Sequence, residues 1–353
     1  MRVATSAVPT PEPPDAPTLR SRYRRLCPSI SALGGNPGAG GVRMVGVAYS
    51  RREMLGAFGG LIVVGAGCAS GGSRTSAAVT PDTDRAVSGG AAVTTALASA
   101  TTTAAPTTEV KIAYGPGADQ FGVLSVPSDR GQLRPVVVLI HGGFWKMPYG
   151  LSLMVGLATD LKDRGFAVWN IEYRRVGQPG GGYPGTLADV AAAIDHLAKV
   201  ADAYRLDLAK VVTVGHSAGG HLALWANSRS QLRPNDPGAA PLVQPNLAVG
   251  LAAVVNLADA ANRHLGGDAV QDLLGGGPTT IPDVYRVAQP ALNVGQILLI
   301  HGSVDNIVPS VQSTAAATGH ANVIVHVLEN LDHFDMIDAT SPAWSAVIER
   351  LST

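Results

Sequence analysis

The chain has 353 residues, 46% of them hydrophobic, and its 26 basic and 26 acidic side chains give a formal net charge of zero. Because binding to nucleic acid needs a clustered excess of Lys and Arg, we predict no nucleic-acid partner. The two cysteines, Cys27 and Cys68, lie near the beginning of the chain, so we expect no disulfide in the remainder.

Residues 44–68 resemble a bacterial export signal. Residues 50–55 (Ser-Arg-Arg-Glu-Met-Leu) are similar to the twin-arginine signature, and the apolar stretch at residues 57–67 is too short to span a bilayer. Residues 65–68 resemble a lipobox in which Cys68 would be lipidated, with Gly65 where that pattern prefers a leucine-like residue. We expect an exported cell-envelope protein, held at the membrane by a lipid anchor at most. The alternative is an apolar helix with an inert thiol.

The segments around this signal have unusual compositions. Residues 1–43 are rich in Pro, Arg and Gly, and we interpret Met44 as the start of translation, with a genuine extension as the alternative. Residues 69–109 are almost entirely Ala, Ser, Thr, Gly and Val, which cannot bury a core, so we predict a disordered tether. Residues 110–353 are sufficient for one large domain with a substantial core.

From residue 110 onward, apolar strand-like runs alternate with helix-like stretches, which is typical of a mostly parallel sheet flanked by helices. Residues 110–114 and 121–126 predict an antiparallel opening hairpin. A helix is predicted to be capped by Thr186, with a buried face from Leu187 to Leu197. The strand-like runs that precede candidate functional loops are residues 135–140, 168–172, 211–214, 296–300 and 323–328.

A glycine pair follows the first of these buried strands, where residues 141–145 read His-Gly-Gly-Phe-Trp. Gly142 and Gly143 would let backbone N–H groups approach a substrate closely, as an oxyanion hole requires. Phe144 and Trp145 either pack beneath this loop or form the wall of an acyl or aryl pocket. We predict a mixed role, with Phe144 nearer to the substrate.

The pentapeptide at residues 215–219, Gly-His-Ser-Ala-Gly, directly follows the run 211–214 and precedes a helix-like run, residues 220–226. A strand that ends in G-x-S-x-G and continues into a helix is the nucleophile-elbow pattern. Such a turn raises the Ser217 hydroxyl above the sheet and directs the helix N-terminus at any anion formed there.

An acid and a histidine follow on later loops. Asp305 lies just past the end of one predicted strand, and His333 follows the last one. The order serine, acid, histidine, each on a loop after a strand, is that of the α/β-hydrolase triad.

Other residues compete for these roles. Asp332 and Asp335 flank the histidine in sequence, although sequence neighbours rarely reach back to a ring with proper geometry. Asp259 follows the strand between the elbow and the acid loop. Tyr173 and Arg174, which follow the strand at residues 168–172, are predicted to support nearby loops. The histidines predicted to be packing or loop residues are His141, His216, His221 and His301.

From about Val110 to Thr353 the chain resembles an α/β-hydrolase of the esterase and lipase group with an HGG-type oxyanion loop. The HGGFW form is also similar to the loop of arylformamidase-type members. The resemblance implies the α/β-hydrolase fold, a mostly parallel central sheet flanked by helices. It also implies that Ser217 attacks an acyl carbonyl, that His333 transfers the proton, and that Asp305 orients His333.

By the same resemblance, the N–H groups of Ala218 and of Gly142 or Gly143 would bind the oxyanion, and no metal or organic cofactor is expected. The expected activity is hydrolysis of small-molecule carboxylic esters with short to medium acyl chains. One alternative is amide hydrolysis of the arylformamidase type, against which export argues. Another is an inactive fold used as an envelope binding module. Residues 260–290 are expected to build a lid or substrate wall.

Overall fold

Residues 107–127 and 131–353 are described by the computed structural model, and they form one central sheet with helices on both faces. The predictions for residues 1–43, for the export signal at residues 44–68 with Cys68, and for the tether up to residue 106 lie outside the described residues.

The strands are β1 (Thr107–Ala113), β2 (Phe121–Pro127), β3 (Arg134–Ile140), β4 (Ala167–Ile171), β5 (Leu206–His216), β6 (Leu247–Leu251), β7 (Gln296–Gly302) and β8 (Val323–Leu328). The α-helices are α1 (Val155–Asp163), α2 (Gly185–Asp195), α3 (Leu197–Tyr204), α4 (Ala218–Asn227), α5 (Leu257–Asn262), α6 (Ala269–Leu274), α7 (Pro282–Ala288), α8 (Val311–Thr314) and α9 (Pro342–Leu351). Short 3₁₀ turns lie at Leu151–Met154, Arg229–Gln231, Ala315–Ala317 and Asp335–Ile337. Within the described residues, no helix combines the length and the apolar character that a membrane span needs.

The sheet has the strand order β1-β2-β4-β3-β5-β6-β7-β8. β2 runs antiparallel to both of its neighbours, whereas the strands from β4 to β8 in this order pair in parallel. The mostly parallel sheet predicted from the sequence is confirmed. Because parallel strands end at one edge, the loops after β3, β5, β7 and β8 meet there, which is where open α/β sheets place their ligand sites.

The first strand begins earlier than predicted. The antiparallel pairing of β1 with β2 extends from Thr107 opposite Pro127 to Ala113 opposite Phe121. Residues 107–109, which we assigned to the tether, are therefore part of the sheet. The end of β2 offers backbone partners to these residues, and Thr is well suited to a strand. The hairpin itself is confirmed.

The central strands are buried on both faces, as their continuous apolar runs predict. All residues of β4 and of β6 are buried. On one face, α2 and α4 contribute side chains such as Leu187 and Trp225 to the core. On the other face, α1 and α9 contribute Leu161 and Trp344. These two layers hold the sheet and leave its carboxyl edge to the functional loops.

The predicted cap of α2 is wrong. The helix begins at Gly185, with Pro184 at its N-cap position. Thr186 lies inside the first turn, where its hydroxyl donates to the Arg174 carbonyl oxygen at 2.6 Å and accepts from Gly182 N at 3.0 Å. The Thr186 hydroxyl is thus satisfied by the chain segment after β4 and not by its own helix. The predicted face is buried from Leu187 to Ile194. Leu197 is also buried, but it is the first residue of α3, because α2 ends at Asp195.

Candidate active site

Ser217 stands at the sharp turn between β5 and α4. Its backbone has φ 57° and ψ −119°, a conformation that L-residues rarely adopt. The next N–H, that of Ala218, lies in the first turn of α4, where amides lack an acceptor within the helix. Gly219 packs so closely on the end of β3 that a Cβ would lie 2.2 Å from the Ile140 carbonyl oxygen. This turn therefore has the shape of a nucleophile elbow.

The loop after β3 passes close to this serine. A Cβ on Gly142 would lie 2.7 Å from the His216 carbonyl oxygen and 3.0 Å from Ser217 Cβ, so the approach requires glycine. Gly143 has φ 105° and lines the same cavity as Ser217. Its carbonyl accepts from Lys146 N at 3.0 Å, which closes a tight turn. The two glycines thus bring backbone amides near the Ser217 side chain.

A buried ionic network holds this loop against the end of β4. Glu172 Oε1 lies 2.9 Å from His141 Nε2 and 3.2 Å from an Arg175 guanidinium nitrogen, and Oε2 accepts from Leu151 N at 3.0 Å. The Tyr173 hydroxyl donates to the His141 carbonyl at 2.8 Å, and the two rings stack at 4.2 Å. Burial raises the pKa of Glu172, but the contacts with His141 and Arg175 outweigh burial and lower it. Glu172 was not predicted as a functional residue, and its one signal in the sequence is an acid at the end of an apolar strand.

Asp305 and His333 form a buried pair at the carboxyl edge of the sheet. His333 Nδ1 lies 2.7 Å from Asp305 Oδ2, and the two side chains are 4% and 0% exposed. The other carboxylate oxygen accepts from Ile307 N at 2.8 Å and from Val308 N at 2.9 Å. Burial raises the pKa of Asp305, but hydrogen bonding to His301 and His333 outweighs it, so the pKa lies well below its usual range. Asp305 is thus an ionised acceptor for the imidazole of His333.

The competing carboxylates have other partners. Asp259 contacts Arg263 at 2.8 Å and accepts from the Gln312 amide at 2.7 Å. Asp332 Oδ1 accepts from two backbone N–H groups of its own loop, and Asp335 Oδ2 accepts from Asp332 N at 2.7 Å. These contacts shape the loops around the histidine, whereas the 2.7 Å contact with the ring is made by Asp305.

Two further buried histidines lie near Ser217 in the sequence, His216 just before it and His221 within α4. His216 Nε2 donates to the His333 carbonyl oxygen at 3.0 Å, and the two rings lie 4.6 Å apart. Burial, followed by the proximity of His333, lowers the pKa of His216 to about 3. His221 donates to the Ala288 carbonyl at 2.8 Å, and burial lowers its pKa to about 4. Both rings are therefore neutral at neutral pH, and His216 additionally holds the backbone of His333.

Ser217 and His333 open onto one small cavity. Its wall is almost entirely apolar, and its empty volume is about 350 Å³, including the part open to solvent. The other lining residues are Gly143, Phe144, Tyr149, Leu153, His216 and Phe334.

The two aromatic residues of the loop after β3, Phe144 and Trp145, lie in different surroundings. Phe144 lines the cavity, whereas Trp145 is 1% exposed and packs edge-to-face on His221, with ring centroids 5.3 Å apart. Both have positive φ, 51° and 56°. Two consecutive left-handed residues turn the chain, so that Trp145 points into the core against α4. The prediction that Trp145 helps to wall a substrate pocket therefore needs correction, and its role is packing.

The segment between β6 and β7 contacts this loop from outside. Lys146 Nζ lies 2.7 Å from Asp272 Oδ2 on α6, in a partly exposed pair. Gly266 packs against the Phe144 ring, where a Cβ would lie 2.5 Å from Cδ1. Residues 260–290, which we expected to build a lid or substrate wall, thus support the aromatic wall of the cavity.

A larger cleft, of about 1020 Å³ including open solvent, lies at the amino-terminal ends of the parallel strands, beside Pro135, Leu247 and Arg350. It is at the opposite edge of the sheet from Ser217, so we place the candidate active site at the smaller cavity, which Ser217 and His333 both line. Among residues 107–127 and 131–353, no group of three or more His, Cys, Asp or Glu side chains is arranged to hold a metal ion.

The sequence profile of the BD-FAE family matches residues 124–319, more than half of the chain. The chain belongs to the BD-FAE family. This is an esterase family of the α/β-hydrolase type. The matched region includes Ser217 and Asp305 and ends before β8 and His333.

Two proteins of rice (Oryza sativa subsp. japonica) are similar to part of this chain. The probable isoprenylcysteine alpha-carbonyl methylesterase ICMEL1 is 27% identical over 207 residues, which cover 54% of this chain and 48% of that protein. The probable methylesterase ICME is 31% identical over 103 residues, which cover 29% of this chain and 24% of that protein. The chain thus spans about half the length of the first and a smaller part of the second.

Solved structures share the fold. A bifunctional GH43-CE protein of Bacteroides eggerthii superimposes with a TM-score of 0.60 at 22% identity, covering 70% of this chain and 38% of that one. Esterase B from Lactobacillus Rhamnosis (HN001) gives a TM-score of 0.58 at 21% identity, covering 70% of this chain and 84% of that one. The likeness establishes the α/β-hydrolase fold of this BD-FAE family member.

Proposed function

We propose that this member of the BD-FAE family is a serine esterase in which Ser217, His333 and Asp305 form the catalytic triad. The observation that carries the proposal is the 2.7 Å contact between His333 Nδ1 and Asp305 Oδ2, beside the cavity that Ser217 also lines. Family membership supports ester hydrolysis as the reaction class. The rice relatives are named methylesterases, which supports ester over amide cleavage.

The first half of the reaction follows from the tautomer of the histidine. Because Nδ1–H donates to Asp305, neutral His333 carries its basic lone pair on Nε2. Ser217 Oγ attacks the ester carbonyl carbon while its proton moves to this nitrogen, and the carbonyl π electrons move to oxygen. The resulting imidazolium is stabilised by the Asp305 carboxylate, which stays ionised because its pKa is low.

The oxyanion is proposed to accept hydrogen bonds from the N–H of Ala218 and from that of Gly142 or Gly143. Each such donor typically lowers the barrier by about 3–4 kcal/mol. When the tetrahedral intermediate collapses, the alcohol leaves with the proton from His333, and an acyl-Ser217 remains. Water then attacks the acyl carbon and gives a proton to His333. The bond from this carbon to Ser217 Oγ breaks as His333 returns the proton to Oγ, and the carboxylic acid is released.

The small cavity favours esters with short acyl groups. Its apolar wall suits an alkyl group, whereas a polyhydroxylated alcohol would lose its hydrogen bonds with water there. A cavity whose empty volume is about 350 Å³, including the part open to solvent, accepts the methyl group of an acetyl ester more readily than a long chain. Leu153, at one side of this space and only partly buried, is the wall residue whose shortening disturbs the core least.

The test is hydrolysis of p-nitrophenyl acetate, butyrate and octanoate by the full chain. We expect turnover that is highest for acetate and is abolished in Ser217→Ala. Leu153→Ala is expected to raise kcat/KM for butyrate relative to acetate. Leu151→Ala, a change of the same size on the same 3₁₀ turn but outside the cavity wall, is expected to leave this ratio unchanged. A folded chain inert on all three esters contradicts the proposal, and turnover of aryl formamides by that chain would favour the amide-hydrolase alternative.

For location, we propose export followed by anchoring at Cys68, on the strength of the twin-arginine and lipobox resemblances of residues 44–68. Expression in a bacterium with radiolabelled palmitate should label the chain, and Cys68→Ala should abolish the label. Equal labelling of both chains would refute the anchor.

A further inference from the structure

The carboxylate of Asp305 contacts a second imidazole besides that of His333. His301 Nε2 lies 3.2 Å from Asp305 Oδ2, the same oxygen that contacts His333 Nδ1 at 2.7 Å. The side chains of His301 and Asp305 are both 0% exposed. Because water is excluded from this contact, its electrostatic effect is screened much less than that of a surface pair.

The partners of His301 assign its tautomer. Nε2 lies 2.8 Å from the Val308 carbonyl oxygen, which can only accept, so Nε2 must carry a hydrogen. Nδ1 lies 2.8 Å from the hydroxyl oxygen of Ser313, which can donate to it. A neutral imidazole therefore satisfies both of its ring nitrogens here, and its N–H edge is the one that faces the Asp305 carboxylate.

This arrangement ties the acid loop to the sheet. His301 belongs to β7, and Ser313 belongs to α8, on the far side of the loop that carries Asp305. The second carboxylate oxygen is already held by Ile307 N and Val308 N. With one oxygen held by backbone amides and the other between two imidazoles, the carboxylate has a single orientation toward His333.

We propose that His301 is a positioning residue for catalysis, which acts through Asp305. Its Nε2–H edge fixes Oδ2 toward His333 and withdraws part of the carboxylate charge, so that Asp305 is shared between two imidazoles. The inference rests on the proposed esterase function. The electrostatic effect of His301 reaches His333 through the carboxylate of Asp305. Ser313 fixes the tautomer of His301.

Other titratable groups face the same pair and must be constant in any test. His216 packs against the His333 ring at 4.6 Å and donates to the His333 backbone. Asp332 and Asp335 flank His333, and their carboxylates accept from backbone N–H groups of that loop. A change at His301 leaves all three in place, so a shift in the pH profile of the variant reports on the contact with Asp305.

The experiment compares two amide substitutions in the full chain. The amide of His301→Asn reaches about as far as Nδ1, so it can keep the contact with Ser313 but has no donor near Asp305. The longer amide of His301→Gln can place its nitrogen near the position of Nε2. The measurements are kcat and KM for p-nitrophenyl acetate from pH 5 to 9, with circular dichroism melting as the control for folding.

For His301→Asn we expect kcat to fall about threefold with KM close to that of the parent, because an imidazolium that Asp305 holds more strongly returns its proton to the leaving alcohol less readily. The acidic limb of kcat/KM should move upward by about half a pH unit, because an unshared carboxylate stabilises the imidazolium of His333 more strongly. His301→Gln should recover most of kcat and the parental limb.

Ser313→Ala provides a second variant in case His301→Asn fails to fold. It leaves the imidazole in place but removes the donor to Nδ1, so we expect a smaller shift of the acidic limb in the same direction. A folded variant of either kind with the parental kcat and pH profile overturns the proposal. Equal losses of kcat in His301→Asn and His301→Gln, with the acidic limb of kcat/KM unmoved, also overturn the proposal, since they indicate a merely structural role of His301.

A second readout separates this inference from the esterase proposal. The Nδ1 proton of a histidine bound to a buried carboxylate gives a far-downfield ¹H resonance that needs no substrate. We expect this resonance of His333 in the parent, a further downfield shift in His301→Asn, and the parental position in His301→Gln. A parent that hydrolyses no ester refutes the proposed function alone. A resonance unchanged among all three chains refutes the role of His301.

Discussion

Individual residues at the carboxyl edge of the sheet derive their chemistry from burial combined with specific partners. Asp305 is ionised in a water-excluded place because imidazoles and backbone amides surround it, despite the burial that opposes its charge. Glu172 is kept ionised in the same way by His141 and Arg175. One carboxylate orients the proposed base, and the other anchors the loop that would bind the oxyanion.

The assignment of the acid can be tested by a pair of isosteric substitutions. Asp305→Asn should lower kcat for p-nitrophenyl acetate by about 10⁴-fold, because an amide cannot hold the productive tautomer or stabilise the imidazolium. Asp259→Asn, at a residue that contacts Arg263 and Gln312, should leave kcat within about twofold. The measurement is steady-state kcat of both purified variants. A larger loss of kcat in Asp259→Asn than in Asp305→Asn would assign the acid role to Asp259.

The elbow depends on how its two neighbouring elements fit together. β5 delivers Ser217 to the edge of the sheet, and α4 starts so close to the end of β3 that residue 219 has no room for a side chain. The helix N-terminus, the strained serine and the glycine loop after β3 are therefore one packed unit. Its geometry is supplied by backbone contacts, which side-chain repacking cannot replace.

Two Gly→Ala substitutions in the first turns of different helices test this packing. Gly219→Ala should destabilise the fold by about 1–3 kcal/mol or more, since a Cβ would collide with backbone oxygens of β3. Gly156→Ala in α1, where a Cβ would meet nothing within 4 Å, should stabilise by about 0.5–1 kcal/mol through helix propensity. Urea unfolding monitored by circular dichroism measures the free energy of unfolding of both variants. An equal change in the two variants would contradict the close contact between residue 219 and β3.

At the scale of the whole molecule, a mostly parallel sheet gathers loops from distant parts of the chain at one edge. Four such loops carry the glycine pair, the serine, the acid and the histidine. The same enclosure buries His216 and His221, whose pKa values are lowered from an ordinary 6.5 to about 3 and about 4. The stability of the molecule is therefore coupled to pH through groups that the folded state keeps neutral.

The free energy of unfolding should be highest above about pH 6.5 and decrease as the pH falls. Below about pH 6.5 the unfolded chain binds protons at these histidines while the folded chain does not. Each histidine should therefore lower the free energy of unfolding by on the order of 2 kcal/mol between pH 7.5 and pH 5. Urea titrations at both pH values measure the loss. His221→Gln, which can keep a donor to the Ala288 carbonyl, should remove about half of it. A stability that is constant from pH 7.5 to pH 5 would contradict this coupling.

Local patterns in the sequence predicted the features that depend on short stretches of chain. Apolar runs marked the buried strands and the opening hairpin, and G-x-S-x-G between a strand and a helix marked the elbow at Ser217. The order in which candidate residues follow successive strands placed them at one edge, because parallel strands share the direction in which they end. The BD-FAE match and the fold agree with that reading.

Contacts between distant residues were decided by tertiary structure alone. Thr186 binds the backbone after β4 and does not cap its own helix, and Trp145 turns into the core away from the cavity. Glu172 and His301 look like ordinary strand-end residues in the sequence, yet one anchors the glycine loop and the other contacts Asp305. A polar side chain finds whichever partner the packed fold brings within about 3 Å, and in this chain those partners come from other elements of the sheet.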